Sequence, residues 1–401
     1  MARGGRFIWG TIDLVVLVVT LAAAAGLVCA FIAPSVNPND TWFFSYAGLA
    51  APILYLANLF LMLYWAIRWK ALFFLPALLL LIGTPKIKTF YHFPGGKNYT
   101  ETKATGDLKI MTYNVEGFLQ YDTENNQRKT TARQIIDFVL ETDPDIVCFQ
   151  EFQSTPNVPE EMINQWLEKW PYRRHYYTIS RQERGVWGPA IYSKFPIVSS
   201  EEIEFEDSRN GALWAEVLTG KNDTLRVICN HLETTYVRNN DILFLQPENF
   251  ASDPDKKAQL RSIAQRLRKG FRKRAYQAET IAHIIDSRDI PTLVCGDFND
   301  PPISYSYKTI RGKFRDTFED KGSGYGYTYK RLYRVMRIDY VLTSPDFETL
   351  TYDTPDVEWS DHRPVIATLR KKKRIACQYY LSVVKQSGGN RTNVNSFPIR
   401  L

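Results

Sequence analysis

The chain has 401 residues, a formal net charge of +7 and an apolar content of 45 % that is distributed very unevenly. Such a length accommodates two or three domains or one large one, and the modest positive charge favours anionic partners without specifying any chemistry. The five cysteines show no Cys-x-x-Cys or Cys/His spacing, which argues against a zinc site and for buried thiols acting as small hydrophobes.

Three apolar runs open the chain. Ile8 to Ala33 is broken only by Thr11, Asp13 and Thr20 and is long enough for a bilayer core of about 30 Å. Trp42 to Ile67 is a second run, and Ala71 to Gly83, extended to Ile87, is a shorter third that contains Pro76. Two further runs and the lack of a small-x-small site argue against a cleaved signal peptide. Arg3, Arg6, Arg68 and Lys70 flank these runs, while Asn37 to Asp40 carries no base. With spans near 8–33, 42–67 and 70–87, the basic loops lie in the cytoplasm and the remainder lies outside. If the third run is re-entrant, the remainder is cytoplasmic. Residues 1–90 thus form a transmembrane region, 91–107 a linker, 108–370 a domain of soluble character and 371–401 a basic tail.

Leu108 to Asn114 alternates as a half-buried strand, and Gln127 to Glu141 has the spacing of a helix. Asp145 to Gln150 is an apolar strand followed directly by Glu151, where a carboxylate is expensive unless it meets a partner or a hard cation. Strands are expected at 174–179, 189–193, 211–218 and 225–230. Arg184, in a glycine-flanked loop, is either a phosphate contact or a solvated side chain. His231 ends a strand and is either a satisfied core histidine or part of a site. Asp255 to Ser287 is helical, with a break expected near Gly270. Its first part holds Lys256, Lys257, Arg261, Arg266, Arg268, Lys269, Arg272, Lys273 and Arg274 and no acid. That is either a surface for anionic lipid or nucleic acid, or a solvated face. Thr292 to Cys295 is a buried strand that Gly296 ends, so Asp297 and Asn299 emerge on one side. A short helix is expected at 304–310, a plain hairpin loop or an aromatic-rich substrate-side loop at 322–329, and a strand at 337–342 with Asp339 embedded in it. Asp361 and His362 precede a last strand at 365–369.

Polar groups therefore end apolar strands at Asn114, Glu151, His231, Asp297 and Asn299, with Asp339, Asp361 and His362 following. Oxygen-rich ligands without thiolates suit Mg²⁺ or Mn²⁺, and such a kit suits attack of water on a phosphate ester. Tyr-Asn at 113–114, Gln-Glu at 150–151, Asn-His-Leu at 230–232, Gly-Asp-Phe-Asn at 296–299, Arg-Ile-Asp-Tyr at 337–340 and Ser-Asp-His at 360–362 occur in this order. In these motifs the chain resembles the endonuclease/exonuclease/phosphatase superfamily, across Leu108 to Leu369. The resemblance implies an α/β fold, a four-layer α/β sandwich with two mixed central sheets, here preceded by a bundle of two to three transmembrane helices. It implies Glu151 as the main metal ligand beside Asn114, with Asp361 near a metal position. It further implies that Asp297 activates the water, Asn299 contacts the phosphate and His231 stabilises the transition state. Asp339 would then fix the tautomer and charge of His362.

Three functions fit the sequence: a nuclease-type phosphodiesterase on a membrane anchor, a lipid or inositol phosphoesterase, and a non-catalytic membrane adaptor that keeps the fold. The partners expected are a phosphate-ester substrate and the lipid bilayer.

Overall fold

The structure, a computed structural model, describes residues 3–93, 103–122, 127–176, 187–221, 223–235, 237, 241, 244, 255–331 and 334–372. Arg184, Cys377 and most of the tail lie outside these residues. The apolar start of the chain folds into α1 (Arg3–Ile32), α2 (Phe43–Leu49), α3 (Ala51–Ile67) and α4 (Phe74–Ile87). Within it Trp9–Ser35, with a mean hydropathy of 2.8, is by itself long and apolar enough to cross a membrane. The run expected to be continuous over 42–67 is instead bent by 70° between α2 and α3. Pro52, in the first turn of α3, has no N–H to offer the carbonyl of Gly48, so the helix restarts there. Ala71–Ile87 is a shorter apolar helix.

The polar residues of α1 hold this bundle together. Asp13 accepts from the Tyr64 hydroxyl at 2.7 Å and from Arg68 Nε at 3.0 Å, and Trp65 Nε1 donates to Thr20 Oγ1 at 2.8 Å. Hydrogen bonds between helices are how apolar bundles place their few polar groups. The outward faces stay apolar, with Leu14, Phe60 and Leu81 at 61 %, 66 % and 67 % exposure.

After β1 (Tyr91–His92) the chain continues through β2 (Leu108–Asn114), β3 (Leu119–Asp122), β4 (Gln127–Thr130), α5 (Ala132–Thr142) and β5 (Ile146–Gln153). Then come α6 (Glu160–Trp166), β6 (Tyr172–His175), β7 (Trp187–Ser193), β8 (Ile197–Glu204), β9 (Gly211–Gly220) and β10 (Asp223–His231). The last part holds α7 (Lys256–Asp286), β11 (Thr292–Asp297), α8 (Tyr305–Arg311), β12 (Arg315–Asp316) and α9 (Thr317–Lys321). It closes with β13 (Gly324–Tyr325), β14 (Asp339–Thr343), β15 (Phe347–Asp353) and β16 (Val365–Lys371).

Two six-stranded sheets form, in the orders β15-β16-β2-β5-β7-β6 and β12-β14-β11-β10-β9-β8. Each is mixed, with one parallel pair at its centre: β2 with β5, and β10 with β11. Cys148, Cys229 and Cys295 pack between the sheets with Ile110, Val227 and Val365, and burial pushes the Cys148 and Cys229 thiols up. On the outer face of the first sheet, Ile135 and Val139 of α5 and Ile163 of α6 cover Phe149 and Tyr192. On that of the second, Ala278 and Ile281 of α7 and Ile310 of α8 cover Ile228 and Val294. The layers run helix, sheet, sheet, helix.

Several sequence expectations shift. The helix expected from Gln127 begins at Ala132, because Gln127–Thr130 pairs with Leu119–Asp122. Asp339 opens β14 instead of lying inside a strand. Helix α7 runs unbroken through Gly270, where a Cβ would lie 3.0 Å from the Thr234 carbonyl. Close approach, not a break, calls for glycine there. Part of the expected linker is a strand, since Tyr91–His92 pairs with Gly324–Tyr325.

The helical bundle is seated on the sandwich. Asn37 Nδ2 donates to Glu279 Oε1 at 2.7 Å, and Arg337 donates to the Thr89 carbonyl at 2.9 and 2.6 Å. Gly48 meets the Ile303 carbonyl so closely that a Cβ would come within 2.3 Å of it.

Gly296 is the tightest point under the site. Its φ is 129°, and a Cβ would lie 2.0 Å from the Asn230 carbonyl on the neighbouring strand. Gly296→Ala is expected to cost more than about 2 kcal/mol, as strain and clash combine. Gly106→Ala, at φ 95° with nothing within 4 Å, is expected to cost the backbone strain alone, about 1–2 kcal/mol, and less than Gly296→Ala. Thermal melting of the full chain in detergent checks the difference.

Candidate functional site

Strand register brings the polar strand ends together. In the second sheet His231 lies opposite Asp297, and Asp297 lies opposite Asp339. In the first, Asn114 lies opposite Gln150, and Glu151 follows at an irregularity in the β5–β7 ladder between Phe149 and Phe152. Glu151 and Asn299 both have φ of 51°, a conformation that non-glycine residues adopt at a cost. The cost accompanies carboxylate and amide groups turned off the ladder into the space between the sheet edges.

Asn114 joins the two sheets: its Nδ2 donates at 3.1 Å to Glu151 Oε1 and at 3.1 Å to Asp297 Oδ2. Asp297 also accepts from the Asn299 backbone N–H at 2.8 Å and from Asn299 Nδ2 at 3.1 Å. The second N–H of that amide goes to the Leu232 carbonyl at 3.0 Å. In this state Asn299 therefore orients Asp297, and a phosphate contact requires one of these bonds to be exchanged. His362 Nδ1 is 2.9 Å from Asp339 Oδ2, while its Nε2 is 3.8 Å from Asp297 Oδ2 and 4.0 Å from Asp361 Oδ1. His231 Nε2 lies 3.6 Å from Glu151 Oε1 and 3.8 Å from Asp297 Oδ2.

Burial and charge drive the two histidines apart. Burial, together with the charge of His362, lowers His231 to about 3, so it is neutral. Burial also opposes charge on His362, but the carboxylates of Asp339 and Asp297 outweigh it and hold its pKa well above the ordinary value. Burial, reinforced by the Asp339 charge, raises Asp297 to about 8, and burial likewise raises Glu151.

The structure adds three residues that the motifs did not single out. Burial and the nearby Asp361 raise Glu116 to about 7. Arg331 pairs with Glu116 and reaches Asp361 Oδ2 at 3.0 Å, so Asp361 sits at the mouth of the site with its charge compensated. The Tyr329 ring centroid is 5.0 Å from that of His362. Glu116 had a sequence signal, standing two residues after Asn114; Arg331 and Tyr329 had none beyond an aromatic-rich loop.

The donor set fits a hard divalent cation. Single donor atoms of Asp297, Asp339 and His362 lie within 4.8 Å of one another. The Asp339–His362 hydrogen bond already uses two of these, which leaves the Glu151 carboxylate and the Asn114 carboxamide beside Asp297 as oxygen donors. Among the described residues, both ring nitrogens of His231 and Asp339 Oδ1 are buried without a hydrogen-bond partner, as in a pocket shaped for a ligand.

Residues 111–362 match the Endonuclease/Exonuclease/phosphatase family, and residues 13–90 match a Domain of unknown function (DUF8431). Among solved structures, an endonuclease/exonuclease/phosphatase from Beutenbergia cavernae is similar, at 18 % identity and a TM-score of 0.45, covering 66 % of this chain and 72 % of that one. The human Nocturnin catalytic domain is similar at 17 % identity and a TM-score of 0.45, covering 68 % and 97 %. Sphingomyelinase C from Streptomyces griseocarneus is similar at 18 % identity and a TM-score of 0.41, covering 65 % and 99 %. None of the curated proteins matches the chain.

These shifts give a pH dependence for the metal-free protein. A group whose pKa rises on folding keeps protons that the unfolded chain releases, so stability falls as pH climbs from the ordinary value through the folded one. For Asp297 that window is 3.8 to about 8, and for His362 it starts at 6.5. His231 acts oppositely, but only between about 3 and 6.5. Above 6.5 Asp297 and His362 act in the same direction, joined by Glu116 up to about 7 and by Glu151, whose pKa burial also raises. In EDTA the melting temperature is expected to fall as pH rises from 6.5 to about 8, and Asp297→Asn is expected to flatten that fall. Melting scans across this range decide it, with a flat wild-type profile as the contrary result.

Proposed function

Because the chain belongs to the endonuclease/exonuclease/phosphatase family, we propose that it is a membrane-anchored, divalent-metal-dependent phosphoesterase cleaving phosphodiester bonds by attack of water on phosphorus. The observation that carries this reading is the Asn114 amide bridging Glu151 and Asp297, with His231, Asp339 and His362 around the same point. Glu151 and Asn114 would hold Mg²⁺ or Mn²⁺, with Asp361 near its edge. When bound, the ion would polarise the phosphoryl group and neutralise the leaving oxygen.

The chain's own groups have distinct tasks in this reading. Asp297, fixed by the Asn299 amide, orients the water and takes its proton. His362, kept cationic by Asp339, lies where charge grows on the phosphoryl oxygens. His231, kept neutral, offers them an N–H donor. Asn299 contacts the phosphate by exchanging a bond to Asp297 or Leu232, and Arg184 is retained as a phosphate contact. Tyr329 packs on the imidazole of His362 and limits its motion.

We read α1, α3 and α4 as membrane spans, with the sandwich on the extracytoplasmic side. Their exposed apolar faces support this, since soluble proteins rarely leave such large contiguous patches bare. Arg68 and Lys70 follow α3, while Asn37 to Asp40 between α1 and α2 carries no base, which suits the positive-inside rule.

A nuclease-type substrate suits the positive charge. A lipid phosphoester is the second reading, favoured by one contact. Ile303, four residues beyond Asn299, packs with Ala51 and Tyr55 of α3, so the site edge abuts the apolar bundle.

The purified full chain, with and without Mg²⁺, should be tested on DNA, sphingomyelin and inositol phosphates. Hydrolysis of at least one that EDTA abolishes is expected. Asp297→Ala and His362→Ala are each expected to lower turnover by about two powers of ten or more with little change in melting temperature. Asp297→Ala with unchanged turnover and melting temperature would contradict the site assignment, and failure of the wild-type chain to hydrolyse any of the three substrates would favour the adaptor. For sidedness, protease added outside cells with opened envelopes is expected to digest the sandwich; a protected sandwich would place it in the cytoplasm.

A further inference from the structure

The mechanism leaves the most basic element of the chain unused. From Lys256 to Ala278 helix α7 carries no acidic residue. Some of its bases are already matched: Arg266 pairs with Asp241 at 2.6 Å, Lys273 with Glu233 at 3.7 Å, and buried Arg274 with Asp300 at 3.1 Å. A different subset shares one face. At 3.6 residues per turn, Lys257, Arg261, Arg268 and Arg272 fall within about 60° around the helix axis.

That face is the one on which the start of α2 and the preceding loop lie. The Tyr46 hydroxyl donates to the Ala264 carbonyl at 2.5 Å, and Asn39 Nδ2 donates to the Arg272 carbonyl at 3.3 Å. The Arg268 guanidinium sits 4.6 Å from the centre of the Trp42 ring, and Tyr46 meets Phe271 edge-on at 5.3 Å. Asn39 and Trp42 lie in the segment that joins the end of α1 to α2, and Tyr46 lies in α2 itself, so the basic stripe runs at the level where the apolar bundle stops. Tryptophan, tyrosine and long cationic side chains are the residues that favour the headgroup layer of a bilayer. Lys257 and Arg261 are exposed and have no ion-pair partner among the described residues.

We propose that Lys257, Arg261, Arg268 and Arg272 of α7 form a binding surface for the anionic headgroups of bilayer phospholipids, laid against the leaflet at which α1 ends. Continuity with the apolar bundle and the sign of the charge select this occupant. A single-strand nucleic-acid platform is disfavoured because no series of exposed aromatics interleaves with the bases, and duplex DNA is an outcome of the test. The surface orients the sandwich on the membrane and fixes the height of the catalytic edge above the lipid. It rests on the membrane reading of α1–α4 but not on the chemistry of the site.

The test uses the full chain in an uncharged detergent with EDTA present, so that no turnover intervenes. Short-chain phosphatidylglycerol, short-chain phosphatidylcholine, inorganic phosphate and duplex DNA are titrated against wild type and K257Q/R261Q/R268Q/R272Q. Saturable binding of phosphatidylglycerol only is expected, weakened at least about ten-fold in the glutamine variant and by raised salt. The charge-keeping variant R261K/R268K/R272K is expected to bind like wild type, which separates loss of charge from misfolding. Unchanged affinity in the glutamine variant overturns the proposal, as does loss in the lysine variant. So does phosphate or DNA bound at the stripe as tightly as the lipid. Alkaline carbonate treatment of membranes separates the underlying reading: release of wild-type chain would refute the spans, whatever the titration gave.

Discussion

One side-chain amide holds the catalytic edge together. Asn114 ends a strand of the first sheet, and its two N–H bonds are divided between Glu151 of its own sheet and Asp297 of the other. A buried carboxylate without donors is costly. Asp297 is buried completely enough that it depends on Asn114 and on both donors of Asn299. Removal of the amide would leave two desolvated carboxyl groups facing across the cleft without the donor they share. The same bond therefore closes the sandwich at this edge and sets the distance between the carboxylates. The backbone cooperates: the Ser360 hydroxyl donates to the Asn114 carbonyl at 2.7 Å and accepts from the His362 N–H at 3.1 Å, which ties the last histidine to the first strand.

From that edge the electrostatics separate the two histidines. His231 has no hydrogen-bond partner among the described residues on either nitrogen and stays neutral; His362 has a carboxylate at 2.9 Å and stays charged. Pairs of titratable groups pushed in opposite directions are what acid–base and charge-stabilising chemistry requires. The separation arises from register: Asp339 opens β14 opposite Asp297, so a second carboxylate is delivered to the histidine side of the site and none to His231 at hydrogen-bonding distance. Arg331 applies the same logic at the mouth, compensating Glu116 and Asp361 so that the inner carboxylates are not crowded further.

Much of this was legible in the sequence, because strand ends in mixed sheets place polar residues where apolar runs stop. Asn114, Glu151, His231, Asp297 and Asn299 could be read that way residue by residue, and the sheets follow from the same runs. What was hidden has physical causes. The break between α2 and α3 depends on one N–H missing at Pro52, within a run whose hydropathy is continuous. Gly270 looked like a helix break but marks the contact with the Thr234 carbonyl, which only the tertiary structure reveals. Edge strand β8 is only partly buried and so lacks a clear alternation. Arg331 acts through partners 215 and 30 positions away, and no local pattern encodes such pairings.

The seating of the bundle on the sandwich links anchor and site by a short physical route. Arg337 is fully buried, and it donates to the Thr89 carbonyl at the end of the bundle while pairing with Asp316 at 2.8 Å. One residue further on, the Ile338 and Asp339 N–H groups both donate to Thr328 Oγ1, so the Asp339 backbone is pinned beside the imidazole it holds. Tyr329, next to Thr328, packs on that imidazole, and Tyr325 at the other end of the same loop pairs with Tyr91. A buried guanidinium needs an ionic partner and acceptors, which Asp316 and the Thr89 carbonyl supply. A chain in which the bundle were merely a flexible tether would have no use for one at this junction. The seat meets the segment that positions His362, so these contacts couple the placement of the bundle to that of the catalytic edge.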